Sequence, residues 1–171
     1  MKPLTLIAVG VVALATLGVA VLAAKPATAQ NAGEIARARA GADCPRCNLF
    51  QADFSNLRLK NRNYTGARLR QADFSAAVMN HASLAGADLR DVDAYGGVFT
   101  GTSFVGANMT NASFVGAYLE GANLRGATLT GVNFSGAEMA RAEGLSQAQL
   151  TGACGDETTQ LPRGLHLRNC N

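Results

Sequence analysis

The stretch GANLRGATLTGVNFSGAEM, residues 121–139, returns a bulky apolar side chain at every fifth position: Leu124, Leu129, Phe134 and Met139. Neither regular element has that period. Five residues rotate a helix face by about 140° and put a strand residue on the opposite side of the sheet, so an apolar stripe of period five smears on either. The chain must be reset every five residues.

Read outward from this stretch, the frame holds from residue 47 to residue 141, giving 19 consecutive units. Their centres are Leu49, Phe54, Leu59, Tyr64, Leu69, Phe74, Met79, Leu84, Leu89, Ala94, Phe99, Phe104, Met109, Phe114, Leu119, Leu124, Leu129, Phe134 and Met139. Ala is preferred two positions before the centre and Asn or Asp one position before it. An extended segment that points its centre and its minus-two residue inward, followed by a corner that absorbs the odd residue, satisfies this pattern. Glycine two positions after the centre, as at Gly66, Gly86, Gly106 and Gly126, suits a corner with positive φ. Four such sides close a coil of 20 residues, and coils stacked at about 4.8 Å make a rod of about 23 Å.

Residues 20 apart should then stack and resemble each other. One side carries Phe54, Phe74, Ala94, Phe114 and Phe134, and another Leu49, Leu69, Leu89, Met109 and Leu129. Ala94 breaks the aromatic column and predicts a cavity, bulge or bend that Ala94→Phe would fill.

These tandem A(N/D)(L/F)xx units resemble the pentapeptide repeat family. The resemblance implies an all-β fold, a right-handed quadrilateral β-helix, here with short capping segments at both ends. It also implies an alternative role, since some members mimic duplex DNA and modulate type II topoisomerases. Leu57 and Arg62 depart from the pattern at inward positions, and a buried unpaired charge at Arg62 would be costly.

Outside the repeat the composition changes. Residues 1–29 read as a signal peptide: Lys2 at the positive end, an uncharged apolar run over residues 4–24, and small Ala27 and Ala29 framing cleavage after Ala29. If cleavage fails, the run can serve as a membrane anchor. No Cys adjoins the cleavage site, which argues against lipidation. Residues 30–46 form an N-terminal cap with a short helix, and residues 142–171 a C-terminal cap in which Ser146 and Gln149 fit a capping box. Leu145 and Leu150 are available there for packing, and the leucines of this cap offer a candidate homodimer contact.

Export to the periplasm or beyond implies an oxidising compartment for Cys44, Cys47, Cys154 and Cys170. The rod separates the two pairs by about 20 Å, beyond disulfide reach, so each pairs locally. CxxC at residues 44–47 reads as a structural clip, with redox or metal chemistry as the alternative.

The functional classes narrow accordingly. The net charge is +3, of which Lys2 and Lys25 supply +2 and the rest of the chain +1, too little for a nucleic-acid binder. DNA mimicry needs strong acidity, which the repeat lacks. Neither His81 nor His166 is placed to converge with a nucleophile, so no catalytic, cofactor-binding or metal-ligating residue is assigned and the protein is read as non-enzymatic. The stacked Asp53, Asp73 and Asp93 read as a solvated, hydrogen-bonded face that raises one or more of their pKa values, with a cation site as the alternative. Arg58, Lys60, Arg68, Arg70 and Arg90 mark a candidate surface for an anionic protein or envelope partner. The expectation is an exported interaction scaffold.

Overall fold

The computed structural model describes residues 31–170. The signal-peptide reading of residues 1–29 lies outside them.

From residue 48 to residue 143 the backbone pairs with itself at a spacing of 20 residues. Four columns of parallel bridges run along the axis, such as Asn48 to Arg68 to Asp88, Asp53 to Asp73 to Asp93, Arg58 to Val78 to Val98, and Asn63 to Ser83 to Ser103. Each side is one bridge wide, because a corner follows before a longer strand can form. In order around the coil, and taking their first centres as labels, these are the Leu49, Phe54, Leu59 and Tyr64 sides.

Each corner is a four-residue turn. The amide two positions before one centre donates to the carbonyl of the preceding centre, as Ala67 does to Tyr64 at 3.0 Å. The third residue of the turn is left-handed at every corner from Arg46 to Gly136. Glycine occupies this position at Gly66, Gly86, Gly106 and Gly126, but Gln51, Ala76, His81 and Asp91 adopt the same conformation. The corner geometry is thus imposed by coil closure as well as by glycine.

The Asn or Asp preference also has a local cause. The amide one position after a centre takes no part in the coil-to-coil ladder, and at many units where Asn or Asp stands one position before the centre, that side chain accepts its hydrogen bond. Asp53 accepts from the Ser55 amide at 2.9 Å, Asn108 from Thr110 at 3.1 Å and Asn133 from Ser135 at 2.9 Å. The motif therefore satisfies a donor that coil closure leaves unpaired.

Inside, the centres and minus-two residues form one continuous core. Phe54 and Phe74 stack at 5.0 Å with planes 8° apart, and Phe114 and Phe134 lie 6.0 Å apart and tilted by 39°. The expected defect at Ala94 is filled by Phe99 from the adjacent side. Its ring reaches Phe74 edge-on at 6.3 Å and Phe114 at 5.4 Å. Gly97 permits this position, since a Cβ there would stand 2.6 Å from the Phe99 ring. Arg62 does not bury its charge: it is exposed, and its neighbour Leu57 is half-buried against the core.

Both coil ends are covered. Upstream, α1 (Ala32–Arg39) is capped by Asn31 and buries Ala38. The Tyr64 hydroxyl donates to the Ala38 carbonyl at 3.2 Å, and Glu34 accepts from the Asn48 amide at 2.6 Å, so the helix is tied to the first coil. Downstream, α2 (Gln147–Leu150) opens with a capping box formed by Ser146 and Gln149. The tail then pairs at spacings that exceed 20, Asn133 with Cys154 and Glu138 with Gln160. It closes with β1 (Cys154–Gly155) beside β2 (Arg168–Asn169) in parallel. Leu150 is 1% exposed and seals the core, the packing role read for it from the sequence.

Candidate functional site

The five cations singled out in the sequence do not form one patch. Arg58 and Lys60 lie on the Leu59 side, whereas Arg68, Arg70 and Arg90 lie on the Leu49 side, opposite in the four-sided coil. Proximity along the chain misled the reading, because ten residues carry the chain halfway around.

On the Leu49 side one outward column reads Asn48, Arg68, Asp88, Asn108, and a second Phe50, Arg70, Arg90, Thr110. Arg90 grips Asp88 through two hydrogen bonds of 2.7 Å, which hold the Asp88 carboxyl below its ordinary range. Arg70 instead lies over the Phe50 ring, 5.9 Å from its centroid. Phe50, Arg68, Arg70 and Asp88 line a cleft of about 50 Å³. The Arg70 Nε is buried there without a hydrogen-bond partner. This arrangement provides an aromatic floor, two arginine side chains beside the Asp88 carboxylate, and a donor suited to a carboxylate or another acceptor.

The aspartate column on the Phe54 side is the hydrogen-bonded face read from the sequence, but its effect on Asp53 has the opposite sign. Asp53, Asp73 and Asp93 each accept from the amide two residues on, at 2.9, 2.8 and 3.0 Å. Asp53 also accepts from the Ser55 hydroxyl and stands 3.5 Å from Arg39. These hydrogen bonds push its pKa down, not up. Among the described residues no group of three or more His, Cys, Asp or Glu side chains is placed to hold a metal ion.

The cysteines are joined locally, Cys44 to Cys47 and Cys154 to Cys170, with Cα separations of 5.4 and 4.9 Å. His81 sits at a left-handed corner with its ring over Gly101, and His166 is bound through its backbone to Gln147. The two are not brought together.

The pentapeptide repeat model matches residues 63–93, 87–126 and 117–154, with eight copies of the repeat. The chain belongs to the pentapeptide repeat family. Membership implies the right-handed quadrilateral β-helix, and the bridges extend the coil upstream of the matched residues to Asn48. Among solved structures the chain is similar to HetL, a pentapeptide repeat protein involved in heterocyst differentiation regulation from the cyanobacterium Nostoc sp. strain PCC 7120. The identity is 33% over 70% of this chain and 52% of HetL, with a TM-score of 0.51. The chain thus spans about half the length of HetL. It also aligns with a thylakoid lumen pentapeptide repeat protein of Arabidopsis thaliana, at 23% identity over 63% of this chain and 60% of that one, TM-score 0.29. A third likeness is to QnrB1, a plasmid-mediated fluoroquinolone resistance protein, at 21% identity over 72% and 76%, TM-score 0.35. No curated protein sequence matches the chain.

Proposed function

We propose that this pentapeptide repeat protein is an exported, non-enzymatic interaction scaffold of the periplasm or cell envelope. The observation that carries the reading is a disulfide in the segment flanking each end of the coil. Such crosslinks persist in oxidising compartments, and the apolar leader with Ala27 and Ala29 provides the route. The Leu49 side supplies the docking surface, where the unpaired Arg70 donor and the Phe50 ring receive an anionic side chain of a partner protein. Arg68 and Arg90 on the same side oppose mimicry of DNA, which requires an acidic surface.

The test is made in the native cell. Fractionation is expected to place the chain outside the cytoplasm, with Gln30 as its first residue and a mass about four units below the reduced value. Photocrosslinking from position 50 should capture a protein partner, and Arg70→Ala should reduce capture about tenfold or more. Recovery from the cytoplasm with four free thiols, or capture of topoisomerase subunits, overturns the proposal.

A further inference from the structure

The Leu59 side differs from the other three in how charge is distributed along the rod. Parallel bridges join Arg58, Val78, Val98, Tyr118 and Glu138 into one outward column. Beside it run Lys60, Asn80, Thr100, Glu120 and Ala140. One end is cationic, the middle is apolar and the other end is anionic. Tyr118 is 44% exposed at this surface. Arg58, Lys60 and Glu138 take part in none of the three ion pairs found among the described residues. Arg58 and Glu138 are four coil steps apart, about 19 Å.

We infer that this side pairs with the same side of a second copy of the chain, with the two rods antiparallel. A two-fold axis lying in the contact plane and perpendicular to the coil axis maps the column onto itself in reverse. Arg58 then meets Glu138 of the second copy, Val78 meets Tyr118, and Val98 meets Val98 on the axis. Lys60 lies diagonally beside the second copy's Glu138. Rotation about an axis parallel to the rod would instead set Arg58 against Lys60 and Tyr118 against Glu120, so charge selects the antiparallel arrangement. The contact covers roughly a few hundred Å² per copy, the range of reversible association rather than of a permanent dimer.

Sedimentation of the processed full chain over a concentration series tests the inference. A reversible dimer that weakens with added salt is expected. Glu138→Arg and Arg58→Glu should each weaken it by about tenfold or more, since every substitution acts at both symmetry-related contacts, and the double variant should recover most of the loss. Val98→Cys should yield a covalent dimer on oxidation. Val78→Cys should do so only when mixed with Tyr118→Cys. These positions are on the outer surface, so unchanged melting curves verify folding. A chain that stays monomeric throughout, a dimer indifferent to both charge reversals, or self-linking of Val78→Cys as rapid as that of Val98→Cys overturns the inference.

Discussion

Phe99 and Phe74 stand on adjacent sides of the coil, yet their rings meet edge-on at 6.3 Å because Phe99 occupies the space that Ala94 leaves in the aromatic column. Both residues are buried at 1% exposure, and Gly97 supplies the clearance. The apparent defect in the sequence is half of a paired substitution: a small centre on one side and a reaching aromatic on the next.

This reverses the effect first expected of Ala94→Phe. The space is taken, so the larger ring overpacks the core and should cost about 1–3 kcal/mol. Phe99→Ala should cost about 3–5 kcal/mol by opening a cavity. Denaturant unfolding measures both, and the double variant should be less damaging than the sum of the two because the rings compete for one space.

The corners supply a controlled comparison of backbone strain. Ala76 has φ of 54°, and Gly116, next but one in the same corner column, has φ of 65° and open space within 4 Å of where a Cβ would stand. A left-handed alanine costs about 1–2 kcal/mol, offset in part by the greater freedom glycine loses on folding. Ala76→Gly should therefore raise stability by up to about 1 kcal/mol, and Gly116→Ala should lower it by a similar amount. Thermal melts of the two variants should shift in opposite directions.

Tyr64 joins the first coil to α1 through its buried hydroxyl. Tyr64→Phe should cost about 0.5–1.5 kcal/mol and increase hydrogen exchange in residues 32–39 more than in the coil. Burial pushes the phenol up to about 12 from an ordinary value of 10. The unfolded chain releases this proton more readily, so the contribution is intact below pH 10 and falls as pH rises toward 12. The Phe variant should lose that part of the alkaline decline.

Cys154 and Cys170 close a loop of sequence separation 16, whereas Cys44 and Cys47 are separated by only 3. Replacing the first pair by serine should cost on the order of 3 kcal/mol and release β2, and replacing the second should cost less. Melting with and without reductant, compared between the two double variants, separates the contributions.

At the same end, Asp156 accepts hydrogen bonds from the Gly136 amide and the Thr158 and Thr159 hydroxyls. Together with the Thr158 amide they hold its carboxyl at about 2. Because the folded value lies below the ordinary 3.8, its stabilising effect is complete above pH 4 and is lost as pH falls toward 2. Asp156→Asn should weaken the C-terminal cap at neutral pH and flatten the acid part of the stability profile.

The amino-acid sequence by itself determined the coil. A five-residue unit carries its own inward residues and its corner, often with an Asn or Asp acceptor, so every repeat states the same backbone geometry and the 20-residue stacking follows. The partition of Arg58 and Lys60 from Arg68, Arg70 and Arg90 was also encoded, but is visible only when positions are read around the coil rather than along the chain. Tertiary structure decided what the period does not specify. The Phe99 rotamer depends on Ala94, Gly97 and rings in neighbouring coils, the Tyr64 hydroxyl finds an acceptor 26 residues away in α1, and the tail pairs at spacings of 21 and 22 instead of 20. The repeat constrains the backbone within each unit, while side-chain volume and the aperiodic ends are settled by contacts between units.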